Sequence, residues 1–178
     1  LLSLEEYTEE IKKILGVQID IYGFDTGKGL PKPTDYRDLP YHWKEGFFSM
    51  DKNNLVKKLK KTKLILGDIE TTSKTFFSNY NPAPIGAVIH DLDFYSSTKV
   101  ALSMMKDNDK FFLPRVFSYF DDIIGSEIEL YNDYTGERLA INEFNSNNED
   151  IKISPSYHFL SQSMETWHHQ IWIIHFFK

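Results

Sequence analysis

Two short apolar runs, residues 86–89 (GAVI) and 116–120 (VFSYF), each run out into acid, the first into Asp91 and Asp93 and the second into Asp121 and Asp122. Between them, residues 96–106 read as one helix whose buried stripe is Val100, Ala101, Met104 and Met105. A strand, a helix and a second strand of these lengths form a βαβ unit. Its crossover makes the strands parallel and places both acidic ends on one edge of the sheet. That edge is where open α/β sheets bind ligands. Four carboxylates at one edge repel each other unless a cation or protons neutralise them, so residues 85–122 predict a metal site. The competing reading makes the same acids helix caps and solvated strand ends.

The rest of the chain extends this unit in both directions. Residues 1–15 predict an amphipathic helix with Leu4, Tyr7, Ile11, Ile14 and Leu15 on one face, a capping box from Ser3 and Glu6, and a stop at Gly16. Residues 17–24 (VQIDIYGF) read as a β run ending at Asp25, and the glycines and prolines that follow read as a loop. An acid in that position often accepts hydrogen bonds from ribose hydroxyls, although aspartate also forms turns by itself. The aromatic stretch 35–50 is either a lid over a ligand or a loop pinned to the core. Asp51 predicts a cap for a helix over 52–61, and residues 63–66 (KLIL) a strand that exits through Gly67 to Asp68. A short helix is expected over 71–77 and another over 136–144. Residues 151–157 and 170–177 predict two strands, an antiparallel pair closing the sheet. His168, His169 and His175, in that aromatic closing segment, are expected to be structural.

Composition narrows the function. The formal charge of −6 is spread along the sequence, which argues against nucleic acid as a partner. The local run from Lys57 to Lys63 reads as the wet face and end of a helix. The absence of cysteine excludes disulfides, thiolate metal sites and cysteine nucleophiles. No apolar run reaches the roughly 18 residues of a membrane span, and no signal-peptide pattern opens the sequence, so a cytoplasmic protein is expected. At 178 residues a single domain is expected, with a homo-oligomer compatible with it.

GFDTGKGLPKP (23–33), LILGD (64–68), HDLDFYSSTKVAL (90–102) and YFDDIIG (119–125) resemble, in order, the motifs of the macrocin-type O-methyltransferases. The resemblance implies a Rossmann-like class I sheet, S-adenosylmethionine as cofactor, and a divalent cation assisting methylation of a sugar hydroxyl. It also implies roles: Asp25, with Thr26 beside it, on the cofactor ribose; Asp68 near the adenine amino group; and Asp91, Asp121 and Asp122 on the metal. Asp91 doubles as candidate general base, and Asp93 is an outer or alternative ligand. Hard oxygen ligands point to Mg²⁺, with Mn²⁺ as substitute.

The family opens with a strand and a glycine-rich loop for which no counterpart precedes Leu1. That strand belongs beside the one ending at Asp91, and its loss would leave two central edges unpaired, so an N-terminal segment beyond this sequence is expected. Rival readings are a nucleotide-sugar glycosyltransferase or phosphotransferase holding its metal on the DxD, and a non-catalytic domain that binds a partner through the aromatic loop around Trp43.

Overall fold

The computed structural model describes residues 1–162 and 165–177. The chain divides into two compact units, Leu1–Pro31 with Glu45–Ala83, and Lys32–Lys44 with Pro84–Lys178.

In the first unit, helix α1 (Leu2–Leu15) ends where Gly16, at φ 69°, turns left-handed and donates its N–H to the Lys12 carbonyl. The predicted capping box does not form; α1 has no side-chain cap. The residue that α1 buries is Glu5 rather than its apolar face, and Tyr7 and Ile14 remain exposed. The Glu5 carboxylate accepts the backbone N–H groups of Lys60, Lys61 and Thr62 at 2.7–3.1 Å and the Thr62 hydroxyl at 2.8 Å. These bonds, the Lys61 amide foremost, hold its carboxyl down to about 2. The helix is thus tethered by a charge accepting amides where its periodicity predicted apolar packing.

Strands β1 (Tyr22–Asp25) and β2 (Lys63–Leu66) pair in parallel with Asp25 opposite Leu66, so only the last three residues of the run 17–24 join a sheet. Helix α2 (Lys52–Lys58) is capped by Asp51, which accepts the Asn54 N–H. Helix α3 (Ile69–Tyr80) starts two residues earlier and ends three later than 71–77, and its Phe76 packs edge-on against Tyr22 and Phe24 of β1, ring centroids 5.1 Å apart in each case.

The loop after β1 is closed on residues 46–47 by Leu30 N–H to the Phe47 carbonyl and Gly46 N–H to the Leu30 carbonyl. Gly29 sits at the closest approach: φ is 86°, and an added Cβ would lie 2.3 Å from the Phe47 oxygen. Gly29→Ala is therefore expected to lower stability by about 1–3 kcal/mol in denaturant unfolding. Gly27→Ala, whose Cβ would meet only the Leu66 side chain at 3.5 Å, is expected to cost less.

The second unit contains the predicted βαβ. Strand β3 (Ile85–His90), helix α4 (Tyr95–Asp107) and strand β4 (Phe112–Phe120) are followed by helix α5 (Gly136–Asn147), strand β5 (Ile151–Pro155), short helices α6 (Tyr157–Leu160) and α7 (Thr166–Gln170), and strand β6 (Ile171–Phe176). The sheet order is β3-β4-β6-β5. β3 and β4 are parallel, and β6 is antiparallel to both β4 and β5, so three strands run one way and β6 alone is reversed. The closing antiparallel pair is present.

Along β4, Val116, Ser118 and Phe120 are buried while Phe117 is exposed, the alternation of a strand with one covered face. α4 supplies Ala101, Leu102 and Met105 to the core, and α5 supplies Ala140, Ile141 and Phe144. From segment 32–44, Leu39 and Trp43 are buried and Tyr36 and Tyr41 exposed, so part of the aromatic loop is pinned to this core. No hydroxyl of α4 caps its own N-terminus. The Ser96 N–H instead donates to Asp38 Oδ1 at 2.9 Å, and Asp38 Oδ2 accepts the Thr34 N–H and hydroxyl. His175 Nε2 lies 3.3 Å from the Ser154 hydroxyl on the neighbouring strand, a structural contact. Among the described residues, no helix is long and apolar enough to cross a membrane.

Candidate metal centre

The site forms where β3 and β4 end side by side, His90 opposite Phe120. β3 stops at His90, one residue before Asp91. A three-residue turn follows, with the Phe94 N–H donating to the Leu92 carbonyl and Asp93 at φ 56° between them. This left-handed backbone, tolerated by aspartate better than by most residues, takes Asp93 into the interior while Asp91 stays exposed. After β4 the chain kinks at Asp122 (φ −96°, ψ 33°), whose side chain is also buried. One carboxylate oxygen from each of Asp91, Asp93 and Asp122 lies within 4.8 Å of the others.

Hydrogen bonds from several segments hold Asp122. Its Oδ1 accepts the Tyr131 hydroxyl at 2.8 Å and its Oδ2 the Asp93 N–H at 2.8 Å, while its own N–H donates to Glu137 Oε2 at 3.1 Å. Burial first, and then the Asp122 and Asp91 charges, push the Asp93 carboxyl up to about 8. Burial also raises Asp122, and burial with the Asp122 charge beside it raises the Tyr131 phenol. Glu137 is fully buried in the first turn of α5 and is raised well above the ordinary carboxylate range, mainly by burial.

The donor set fits a hard divalent cation. In an octahedral shell with metal–oxygen bonds of about 2.0–2.2 Å, ligand oxygens lie about 3 Å apart when adjacent and about 4.3 Å apart when opposite. The three carboxylate oxygens lie within 4.8 Å of one another, somewhat wider than that shell, and their mutual repulsion is what a cation would relieve by drawing them in.

The structure sorts the predicted acids. Asp91 and Asp122 come together, and Asp93 joins them. Asp121 stands outside this group of three: its Oδ1 accepts the Tyr119 hydroxyl at 2.8 Å and Gln170 Nε2 at 3.1 Å, and its carbonyl accepts Gln170 as well. Burial and then the bond to Asp121 push the Tyr119 phenol up to about 12. In the first unit, Asp25 Oδ1 accepts the Gly27 N–H at 2.5 Å. The Thr26 hydroxyl donates to the Gly29 carbonyl and accepts the Lys28 N–H. Asp68 Oδ1 caps α3 through the Glu70 N–H at 2.7 Å. Asp25 and Asp68 thus lie at the same, carboxyl-terminal edge of the β1–β2 pair, each with one oxygen engaged in a local turn or cap. Tyr131, Glu137 and Gln170 were not singled out by sequence. Nothing in their local pattern marks them, because each reaches the site from 9 to 49 residues away along the chain.

In each unit, parallel strands that alternate with helices carry acids at their carboxyl-terminal ends, a Rossmann-like α/β arrangement. Among solved structures the chain is similar to calicheamicin methyltransferase CalS11, with a TM-score of 0.63 and 16% sequence identity over 97% of this chain and 66% of that one. The chain thus spans just under two thirds of that protein's length, and the likeness at this identity is one of fold. No family model matches the sequence, and no curated protein matches it.

Proposed function

We propose that this chain belongs to an S-adenosylmethionine-dependent O-methyltransferase of the macrocin type that uses a divalent cation and acts on a hydroxyl of a saccharide or glycosylated natural product. The observation that carries this reading is the group Asp91, Asp93 and Asp122 at the carboxyl-terminal end of parallel strands in a methyltransferase fold. Asp93 and Asp122 would hold Mg²⁺ or Mn²⁺ from the buried side and Asp91 from the exposed side. When bound, the cation supplies Lewis-acid polarisation of the acceptor hydroxyl, and S-adenosylmethionine supplies an already activated methyl group. The protein's remaining tasks are to orient the acceptor and to take its proton. Asp91, the exposed carboxylate of the three, would take the proton, while Tyr131 and the Asp93 amide hold the Asp122 carboxylate.

For the cofactor, Asp25 and Asp68 each keep a second carboxylate oxygen beyond their local bond, suited to ribose hydroxyls and the adenine amino group respectively. Thr26 acts there by shaping the turn. A cytoplasmic location accords with that cofactor.

Isothermal calorimetry on the full-length protein tests this reading. S-adenosylhomocysteine is expected to bind, with Mg²⁺ leaving its affinity unchanged or raising it. Binding of a nucleotide-sugar in its place would replace the methyltransferase reading with the glycosyltransferase one.

A further inference from the structure

We propose that Glu137 is a positioning residue of the metal centre, acting through the Asp122 backbone, and that it helps the centre discriminate small cations from Ca²⁺. The inference rests on the cation reading of Asp91, Asp93 and Asp122. Glu137 is completely buried, although charged residues are almost never fully buried unless they are partnered. Its partners explain the placement. Oε2 accepts the Asp122 N–H at 3.1 Å, and Oε1 lies 3.4 Å from the hydroxyl of Thr98, itself fully buried on α4. The Thr98 hydroxyl donates to the Phe94 carbonyl at 2.8 Å and, over the longer 3.4 Å contact, to Glu137 Oε1.

One side chain therefore ties the first turn of α5 and the first turn of α4 to the backbone of the residue that carries a ligand. α4 begins directly after the Asp93 turn, so the same side chain links the segments bearing two of the three acids. Groups that orient ligands are worth about 10- to 100-fold in metal affinity. Discrimination between Mg²⁺-sized ions and Ca²⁺ depends on the rigidity and size of the oxygen cage. A tether on Asp122 should therefore set both quantities, and a purely structural glutamate would change neither.

The experiment compares Mn²⁺ binding by electron paramagnetic resonance and Ca²⁺ binding by calorimetry in wild type, Glu137→Gln and Glu137→Asp, with thermal unfolding as the fold check. Glutamine keeps an acceptor oxygen at the same reach and presents an NH₂ to Thr98, so its Mn²⁺ affinity should stay within about threefold of wild type. Aspartate withdraws the acceptor by one methylene; Mn²⁺ affinity should fall about tenfold or more, and the preference for Mn²⁺ over Ca²⁺ should shrink. Wild-type affinity and preference in Glu137→Asp would overturn the proposal, as would loss of Mn²⁺ binding by a folded Glu137→Gln. Failure of the wild-type protein to bind Mn²⁺ would instead remove the metal reading on which the proposal stands.

Discussion

Replacing Asp93 with asparagine is expected to weaken Mn²⁺ binding by at least about 100-fold while making the metal-free protein more stable above neutral pH. The two effects share a cause. Folded Asp93 keeps its proton up to about pH 8, whereas the reference carboxyl loses it near 3.8. Across that window the folded state binds the extra proton, so the contribution of Asp93 to stability is greatest below 3.8 and is lost as pH rises through 8. Asparagine removes both the penalty and the ligand. Asp121→Asn is the informative control: its carboxylate bonds to Tyr119 and Gln170, outside the group of three, so its Mn²⁺ affinity should fall less. Equal losses in the two variants would return Asp121 to the ligand set. Parallel titrations of Mn²⁺ and thermal melts at pH 6 and pH 9 decide it.

The second large effect belongs to His90. Its imidazole is buried, stacks on Phe120 at 4.3 Å, and has no hydrogen-bond partner for Nε2 among the described residues. Burial pushes it down to about 3 from the ordinary 6.5. The unfolded chain therefore takes up a proton between those values that the folded state refuses, and stability falls as pH drops from 6.5 toward 3. The slope approaches about 1.4 kcal/mol per pH unit, or roughly 2 kcal/mol lost by pH 5. His90→Leu, close in volume, should remove that part of the decline. Urea unfolding at pH 7.5 and pH 5 measures it, and a variant that loses as much as wild type would assign the acid sensitivity to other groups.

What could be read from sequence was whatever a short window determines. β2 falls on residues 63–66 as expected, and α4, α5 and the closing strands lie where periodicity placed them. The acidic strand ends marked the site itself. Readings failed where a distant partner decided the outcome. The apolar face of α1 predicted its buried side, but the amides of residues 60–62 recruited Glu5 instead. The acidic pair does not by itself reveal its backbone: the strand stops at His90, and a left-handed Asp93 brings the second acid inward. Asp121 and Asp122 are indistinguishable as neighbours in sequence. They separate because Gln170 and Tyr119 engage one, while Tyr131 and Glu137 hold the other.

The capping of α4 by Asp38 has a consequence for how the chain is made. Asp38 and Ser96 are 58 residues apart, and the whole of residues 45–83 emerges between them. At about 5–20 residues per second on the ribosome, Asp38 waits roughly 3 to 12 s for the amide it will accept. Leu1–Pro31 has already been made by then, and Glu45–Ala83, the other part of the first unit, is synthesised within that interval. Synthesis thus favours an order in which the β1–β2 unit assembles with segment 32–44 held out as a solvated loop. That loop is drawn in only when the βαβ carrying the candidate centre has left the ribosome.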